Sequence, residues 1–309
     1  MAQVRGTFAE LYDRVEKTVK TIIFDSLQEL KPVYKAYTNM KSSSKKFERV
    51  VSVTPFGDVP QKDEGQVYAL DLIRPGWTKD FTHVEFGLGF EVTETALEDD
   101  EFDVLIRSSE MLAWSARYVQ EKQAADAFFN NAGPSGSAQT PDGVSIYNTA
   151  HVLKGGGTAR NMLAVDADLS IDSLATALQD IQLQTKMESG QLVAPIDSFN
   201  LVVPPGNEML AERLVSSSQL PGTAENDINP VKNRKRLNIV VNPLITDSDS
   251  WYLNAANKRM HGLTSYVRVP VKLAPRQQDP FTGNFIHKIR FRQSWGAWMW
   301  QGTFGSVGA

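Results

Sequence analysis

Apolar residues return at helical spacing early in the chain, at Phe8, Leu11, Val15, Val19, Ile22, Ile23, Leu27 and Leu30. The spacing predicts a long amphipathic helix, opened by a capping box of Thr7 and Glu10 and closed before Pro32. After a serine-rich break at residues 42–44 the helical period is lost from Phe47 to Phe90, and turn formers stand at Pro55, Gly57, Pro60, Gly65, Pro75 and Gly76. Two stretches there alternate instead. Tyr68, Leu70 and Leu72 share one strand face and Val84, Phe86 and Leu88 another, with Arg74-Pro75-Gly76-Trp77 expected as the turn between them. The segment reads as an extended hairpin with little sequence for a core of its own.

A second capping box, Thr95 and Glu98, opens a stretch free of proline and glycine that reaches about Asn131 and carries Leu105, Leu112, Ala116, Val119, Ala127 and Phe128 inward. As a helix it would be roughly 50 Å long. Residues 133–157 are rich in Gly, Ser, Thr and Pro, with a turn at Pro141-Asp142-Gly143. A helix from Ser170 buries Ile171, Leu174, Leu178 and Ile181 and is expected to stop at Gly190. Then come a strand over 199–203, a helix opened by Pro205 with Met209, Leu210 and Leu214 inward, and strands over 237–241 and 251–253. The last long stretch alternates: Ile289, Phe291, Trp295, Ala297 and Met299 face one way, and Lys288, Arg290, Arg292 and Ser294 the other. The fold class is α+β, and no repeat of solenoid period occurs.

The 309 residues suffice for one large domain or two interleaved ones, and 41% apolar with 22% charged residues describes a chain that folds. A net charge of −4 supplies no global reason to bind nucleic acid or an anionic membrane. With no cysteine there is no disulfide, no thiolate ligand and no thiol nucleophile. The first residues hold no apolar block of signal-peptide type, and no run of about 18 apolar residues could span a bilayer.

Few strings look like chemistry. The acidic cluster Glu98, Asp99, Asp100, Glu101 and Asp103 fits a helix's first turn, where it opposes the macrodipole, better than an acid-base pair. Asp247-Ser248-Asp249 lacks the glycine and distal glutamate of a calcium loop. His83, His151, His261 and His287 lie far apart and in no ligand motif. The glycines at 155–157 lack a P-loop lysine, and those at 87 and 89 lack the third glycine of a dinucleotide fingerprint. No catalytic, cofactor or metal residues are therefore expected. Lys232, Arg234, Lys235 and Arg236 form the one dense basic run, without the interleaved aromatics of a nucleic-acid groove. An exposed loop making salt bridges between subunits fits it as well. Trp295, Trp298 and Trp300 fit burial on two faces, partly at a subunit contact, better than a ligand platform.

Three strings bear on the whole: Gly87-Leu88-Gly89-Phe90-Glu91-Val92-Thr93-Glu94; Asp142-Gly143 with Tyr147-Asn148 and His151; and Asn242-Pro243-Leu244-Ile245-Thr246-Asp247 leading to Trp251-Tyr252-Leu253. With the order of elements, they make the chain resemble the major capsid proteins of tailed bacteriophages. The resemblance implies an HK97-like capsid fold: an N-terminal arm (1–46), an extended β-hairpin or E-loop (47–90), a peripheral domain with a long spine helix (91–165), an axial domain (166–269) and a return to the peripheral domain (270–309). It implies a structural protein that self-assembles into the icosahedral head shell enclosing the genome, located in the virion capsid and, during assembly, in the host cytoplasm. The implied partners are itself in pentamers and hexamers, the portal protein, and packaged DNA held loosely and nonspecifically; no membrane is involved. The short arm makes a separate scaffolding protein the expectation. Assembly-contact candidates are Tyr68, Leu70, Arg74, Trp77, Val84, Phe86 and Leu88 on the hairpin, with Lys232, Arg234, Lys235 and Arg236. Some relatives link an E-loop lysine to a neighbour's asparagine; that chemistry needs a nearby carboxylate in a buried site, which the spacing around Lys62 and Lys79 does not reveal, and no such link is expected. The rival reading is a soluble α+β enzyme with an unrecognised site, which would be a small discrete oligomer with a concave polar pocket.

Overall fold

The computed structural model describes residues 8–72, 74–93, 95–96, 102–134, 136–193, 195–219, 228–229, 231–232, 236–275 and 277–308. Thr7, Glu94, residues 97–101, Asn233, Arg234 and Lys235 lie outside them, so both capping boxes, most of the acidic cluster and much of the basic run do too.

Helix α1 (Phe8–Glu29) ends before Pro32, and a short α2 (Tyr34–Tyr37) and strand β1 (Asn39–Ser42) follow. Among the described residues strands β2 (Phe47–Thr54) and β3 (Arg74–Thr82) pair only with each other, as an antiparallel ribbon. β4 (Val84–Val92) leads to the long α3 (Phe102–Ala125), which passes into a π-helical turn at Asp126–Asn130. A small ribbon, β5 (His151–Val152) and β6 (Thr158–Ala159), precedes α4 (Ile171–Leu183). Then come β7 (Ser198–Val203), α5 (Glu208–Ser216), β8 (Arg236–Val241), β9 (Trp251–Ala255) and β10 (Leu263–Leu273). β11 (Gln277–Gln278), β12 (Phe285–Ala297) and β13 (Thr303–Ser306) complete the order.

Two sheets carry the body. In the first, β12 lies antiparallel to β10 and to β4, and β1 adds to β10 in parallel. Alternation along β12 turns Phe285, Ile289 and Phe291 onto α1 and α3, where they meet Val19, Ile23, Leu105, Leu112 and Ala116. The second sheet runs β13-β9-β7-β8 and is covered on both faces. Leu201, Val203 and Leu253 pack on α4 and α5, while Val202 and Tyr252 join Phe129 and Tyr147 on the reverse. Burial on both faces explains why β9 is apolar almost without alternation. The π-helical turn shifts the helical phase so that consecutive Phe128 and Phe129 are both buried. Phe128 reaches Trp295 of the first sheet and Phe129 reaches Tyr252 of the second, so the end of α3 pins the two sheets together.

Several expectations are corrected. Arg74-Pro75-Gly76-Trp77 is not a turn but the start of β3, and its partner is β2, whose FERVVSVT stretch alternates between more and less exposed positions. Ser52 sits in a register shift of that ribbon, accepting a hydrogen bond from the Trp77 N–H at 2.8 Å. Its side chain occupies the space a Cβ on Gly76 would need, 2.3 Å away. Tyr68, Leu70 and Leu72 belong to no strand, and Val84, Phe86 and Leu88 lie on β4 in the first sheet, not on the ribbon. Helix α4 stops at Leu183, before Gly190, whose positive φ of 89° serves a turn instead. Met209 points outward at 80% exposure, leaving Leu210 and Leu214 to pack inward. Ser294 is buried rather than solvent-facing, because His83, between β3 and β4, meets its hydroxyl at 3.1 Å.

Candidate functional site

The largest apolar exposure lies beyond the β2–β3 ribbon. Val59, Val67, Tyr68, Leu70 and Leu72 are 76–95% exposed, in a stretch with no strand pairing. Asp71 organises part of it by accepting hydrogen bonds from the Gly57 and Leu72 N–H groups, which hold its carboxyl below the usual range. Lys62 lies 4.7 Å from the Tyr68 ring centre. At about 1.5–3 kcal/mol for fully burying each such side chain, the tip is a reservoir of association energy that its own subunit leaves unused.

A second exposed apolar stripe runs along α3. Met111, Trp114 and Tyr118 stand at helical spacing and are 69%, 55% and 41% exposed. The Trp114 and Tyr118 rings stack at 5.3 Å. The opposite side of α3 is buried through Leu105, Leu112, Ala113 and Ala116, so the helix is apolar on two sides. This stripe was not singled out in the sequence; the i, i+3, i+7 spacing of Met111, Trp114 and Tyr118 was the available signal.

The remaining candidates are scattered. Val84 and Leu88 are exposed on β4, while Phe86 stacks on Phe291 at 5.1 Å and belongs to the core. Arg74 is exposed at the start of β3. Trp77 is half-buried and bound to its own subunit, its indole N–H donating to Glu188 at 3.1 Å. Lys232 is exposed, and the Arg236 side chain lies outside the described part. Lys79 is also engaged: Nζ donates to the Gln139 carbonyl at 2.7 Å, and burial pushes its pKa down.

The motif strings resolve into internal supports. Gly89 lies so near β12 that a Cβ would stand 2.8 Å from the His287 carbonyl oxygen. Asp142 meets His151 Nδ1 at 2.6 Å, and His151 Nε2 meets Asn161 Oδ1 at 3.1 Å, with both the histidine and the aspartate side chain out of solvent. Asn161 is oriented by donating to the Ile146 carbonyl and to Thr303 Oγ1. Asn242 donates to the Tyr37 hydroxyl at 3.1 Å and accepts from the Leu244 N–H at 3.0 Å. The polar side-chain atoms of Asp142, His151, Asn161 and Asn242 are each engaged by a neighbour in the fold. Among the described residues no group of His, Asp and Glu is arranged to hold a metal, and no helix is long and apolar enough to cross a membrane.

Solved structures share this architecture. The capsid of cyanophage P-SCSP1u is similar with a TM-score of 0.55 at 8% identity, over 90% of this chain and 88% of that one. The capsid of a native GTA particle gives a TM-score of 0.55 at 10% identity, over 91% and 92%. The procapsid of bacteriophage JBD30 gives 0.53 at 14%, over 98% of this chain and 77% of that one. No curated protein matches in sequence. The family model for "Phage capsid protein" matches residues 78–304, from within β3 to the second residue of β13, and that span shows that the chain belongs to the phage capsid protein family.

Proposed function

We infer that the chain is the major head-shell subunit of a tailed bacteriophage, a structural protein whose activity is self-assembly. The observation that carries this beyond family membership is the pair of unpartnered apolar surfaces: the tip over residues 56–72 and the Met111, Trp114, Tyr118 stripe on α3. Neither is covered by the described residues of its own subunit, and a two-stranded ribbon is too weak to stand alone. Heterologous contacts that close into rings give both a partner, with the tip of one copy laid along α3 of the next. Many weak contacts per subunit then sum to a stable shell that can still shift between ring arrangements.

In this reading the β2–β3 ribbon and its tip are the E-loop, α3 is the spine of a peripheral domain built on the first sheet, and the second sheet with α4 and α5 forms the axial domain. The proposed frame in chain order is 1–46, 47–90, 91–165, 166–269 and 270–309, with β4 and β10 crossing its bounds to pair in the first sheet and β13 returning to the second. Pentamers and hexamers of this chain, a separate scaffolding protein and the portal are the proposed partners, with assembly in the host cytoplasm. DNA is contacted loosely, since a shell of net charge −4 per subunit that gripped phosphates would hinder packaging.

The test is negative-stain microscopy and sedimentation of the purified chain across a concentration series, with and without scaffold. Rings, tubes or shells are expected at high concentration. A strictly monomeric protein whose tip is protected from proteolysis would overturn the reading.

A further inference from the structure

We propose that Glu188 is a positioning residue for the hairpin: its carboxylate straps β3 to the body through Trp77 and so sets the angle at which the tip is offered to a neighbouring copy. This rests on the shell reading above and adds to it a control held within one subunit.

The geometry is specific. Glu188 Oε2 accepts from the Trp77 indole N–H at 3.1 Å and from the Lys154 backbone N–H at 3.0 Å, while Oε1 lies 3.4 Å from the Gln301 amide donor. Gln301 is only 3% exposed, so that donor is fixed by the body. The Lys154 ammonium stands 3.6 Å from the centre of the Trp77 ring, adding a cation–π contact to the same indole. One residue of the hairpin is therefore gripped at its N–H and on its face.

Both ends of the strap are rigid. The Glu188 carbonyl accepts from the Gly155 N–H at 2.8 Å, an approach so close that a Cβ on Gly155 would sit 2.8 Å from the same oxygen. The turn around it is closed by Met187 N–H to the Gln191 carbonyl at 2.7 Å and by Gly190 N–H to the Met187 carbonyl at 2.8 Å. On the hairpin side, Ser52 Oγ holds the Trp77 backbone at both its N–H and its carbonyl. A second tether nearer the tip runs from Gln191 Nε2 to Asp58 Oδ1 at 2.6 Å.

Packing alone would not fix the angle. Between the ribbon and the body lies a cavity of about 240 Å³ bordered by Val51, Val53, Trp77, Met187, Trp298 and Trp300. Dispersion contacts are incomplete across such a gap, so the orientation of the ribbon there falls to the hydrogen bonds on its rim. The ribbon is seated in the apolar core only at its base, where Phe81 meets Tyr266 at 5.0 Å.

The experiment uses the full chain with Glu188→Ala, and with Trp77→Phe, which keeps the ring for Lys154 but removes the N–H. Hydrogen exchange of the free subunit should be about tenfold faster or more over residues 47–54 and 74–82 in Glu188→Ala, faster to a smaller degree in Trp77→Phe, and unchanged in β7 and β9. Shells of both variants should be heterogeneous in size beside uniform wild-type shells. If Glu188→Ala disturbs β7 and β9, Trp77→Phe decides. Unchanged ribbon exchange overturns the strap, and faster exchange with shells as uniform as wild type overturns its positioning role. Failure of the shell reading is separate and visible: a wild-type chain that forms no rings or shells, whatever its exchange.

Discussion

The imidazole of His151 lies flat on the indole of Trp300, ring centres 4.2 Å apart and planes 10° from parallel. Its face is thus covered by the segment joining the two sheets, while its edge meets the Asp142 carboxylate, whose side chain is 1% exposed. Replacing His151 by Ala strips a buried carboxylate of that partner and opens a hole beside Trp300. We expect a loss of about 3–5 kcal/mol in denaturant unfolding. The double variant with Asp142→Ala should recover part of it, since the stranded charge is gone; equal losses in single and double variants would show that the cavity alone accounts for the effect.

The tip should carry assembly and not folding. Serine at Val59, Val67, Tyr68, Leu70 and Leu72 together removes apolar side chains that are 76–95% exposed. The free subunit's unfolding midpoint should hold within about 0.5 kcal/mol equivalent, while particle yield by sedimentation falls sharply. A clear drop in midpoint with normal particles would place the tip in the subunit's own core.

Trp114→Ala tests the other half of the contact. The ring is 55% exposed and stacks on Tyr118, so the isolated subunit should lose at most about 1 kcal/mol. If α3 receives a neighbour's tip, the concentration needed for assembly should rise several-fold. An unchanged assembly threshold would exclude the stripe from the interface.

His261 gives the fold an acid limit. Burial, helped by the charge of Lys258, pushes its pKa from 6.5 to about 4. The unfolded chain takes up a proton below about 6.5 that the folded chain refuses until about 4, so stability is complete above pH 6.5 and declines between those values. By pH 5 the loss is about 2 kcal/mol. Urea unfolding at pH 7.5 and pH 5 should show it in the wild type and not in His261→Gln; an identical pH dependence in both would assign the acid sensitivity elsewhere.

The elements with strong periodicity were legible. The spacing of Val19 and Ile23, of Leu105 and Leu112, and the alternation of Ile289 and Phe291 each forecast the face that is buried. What failed was pairing across distance. Arg74-Pro75-Gly76-Trp77 carries strong local turn chemistry, but β2 lies more than twenty residues upstream and claims these residues as a strand. The candidate site was legible as a region and less so as residues. Tyr68 and Leu70 are exposed as an assembly contact requires, whereas Phe86 and Trp77 are taken up by Phe291 and Glu188, and nothing local in sequence announces those partners.

The parallel pairing of β1 with β10 joins Asn39 to Thr264, and β4 pairs with β12, up to Gln293. Such long-range closures form slowly, and during synthesis they cannot form at all until the later strand has left the ribosome. The first sheet is therefore unfinished for most of the time the chain is being made, and α1 and α3, which pack on each other, lack Phe285, Ile289 and Phe291 to complete their core. The order of strands thus delays completion of the core beneath α3 until the last part of the chain is made.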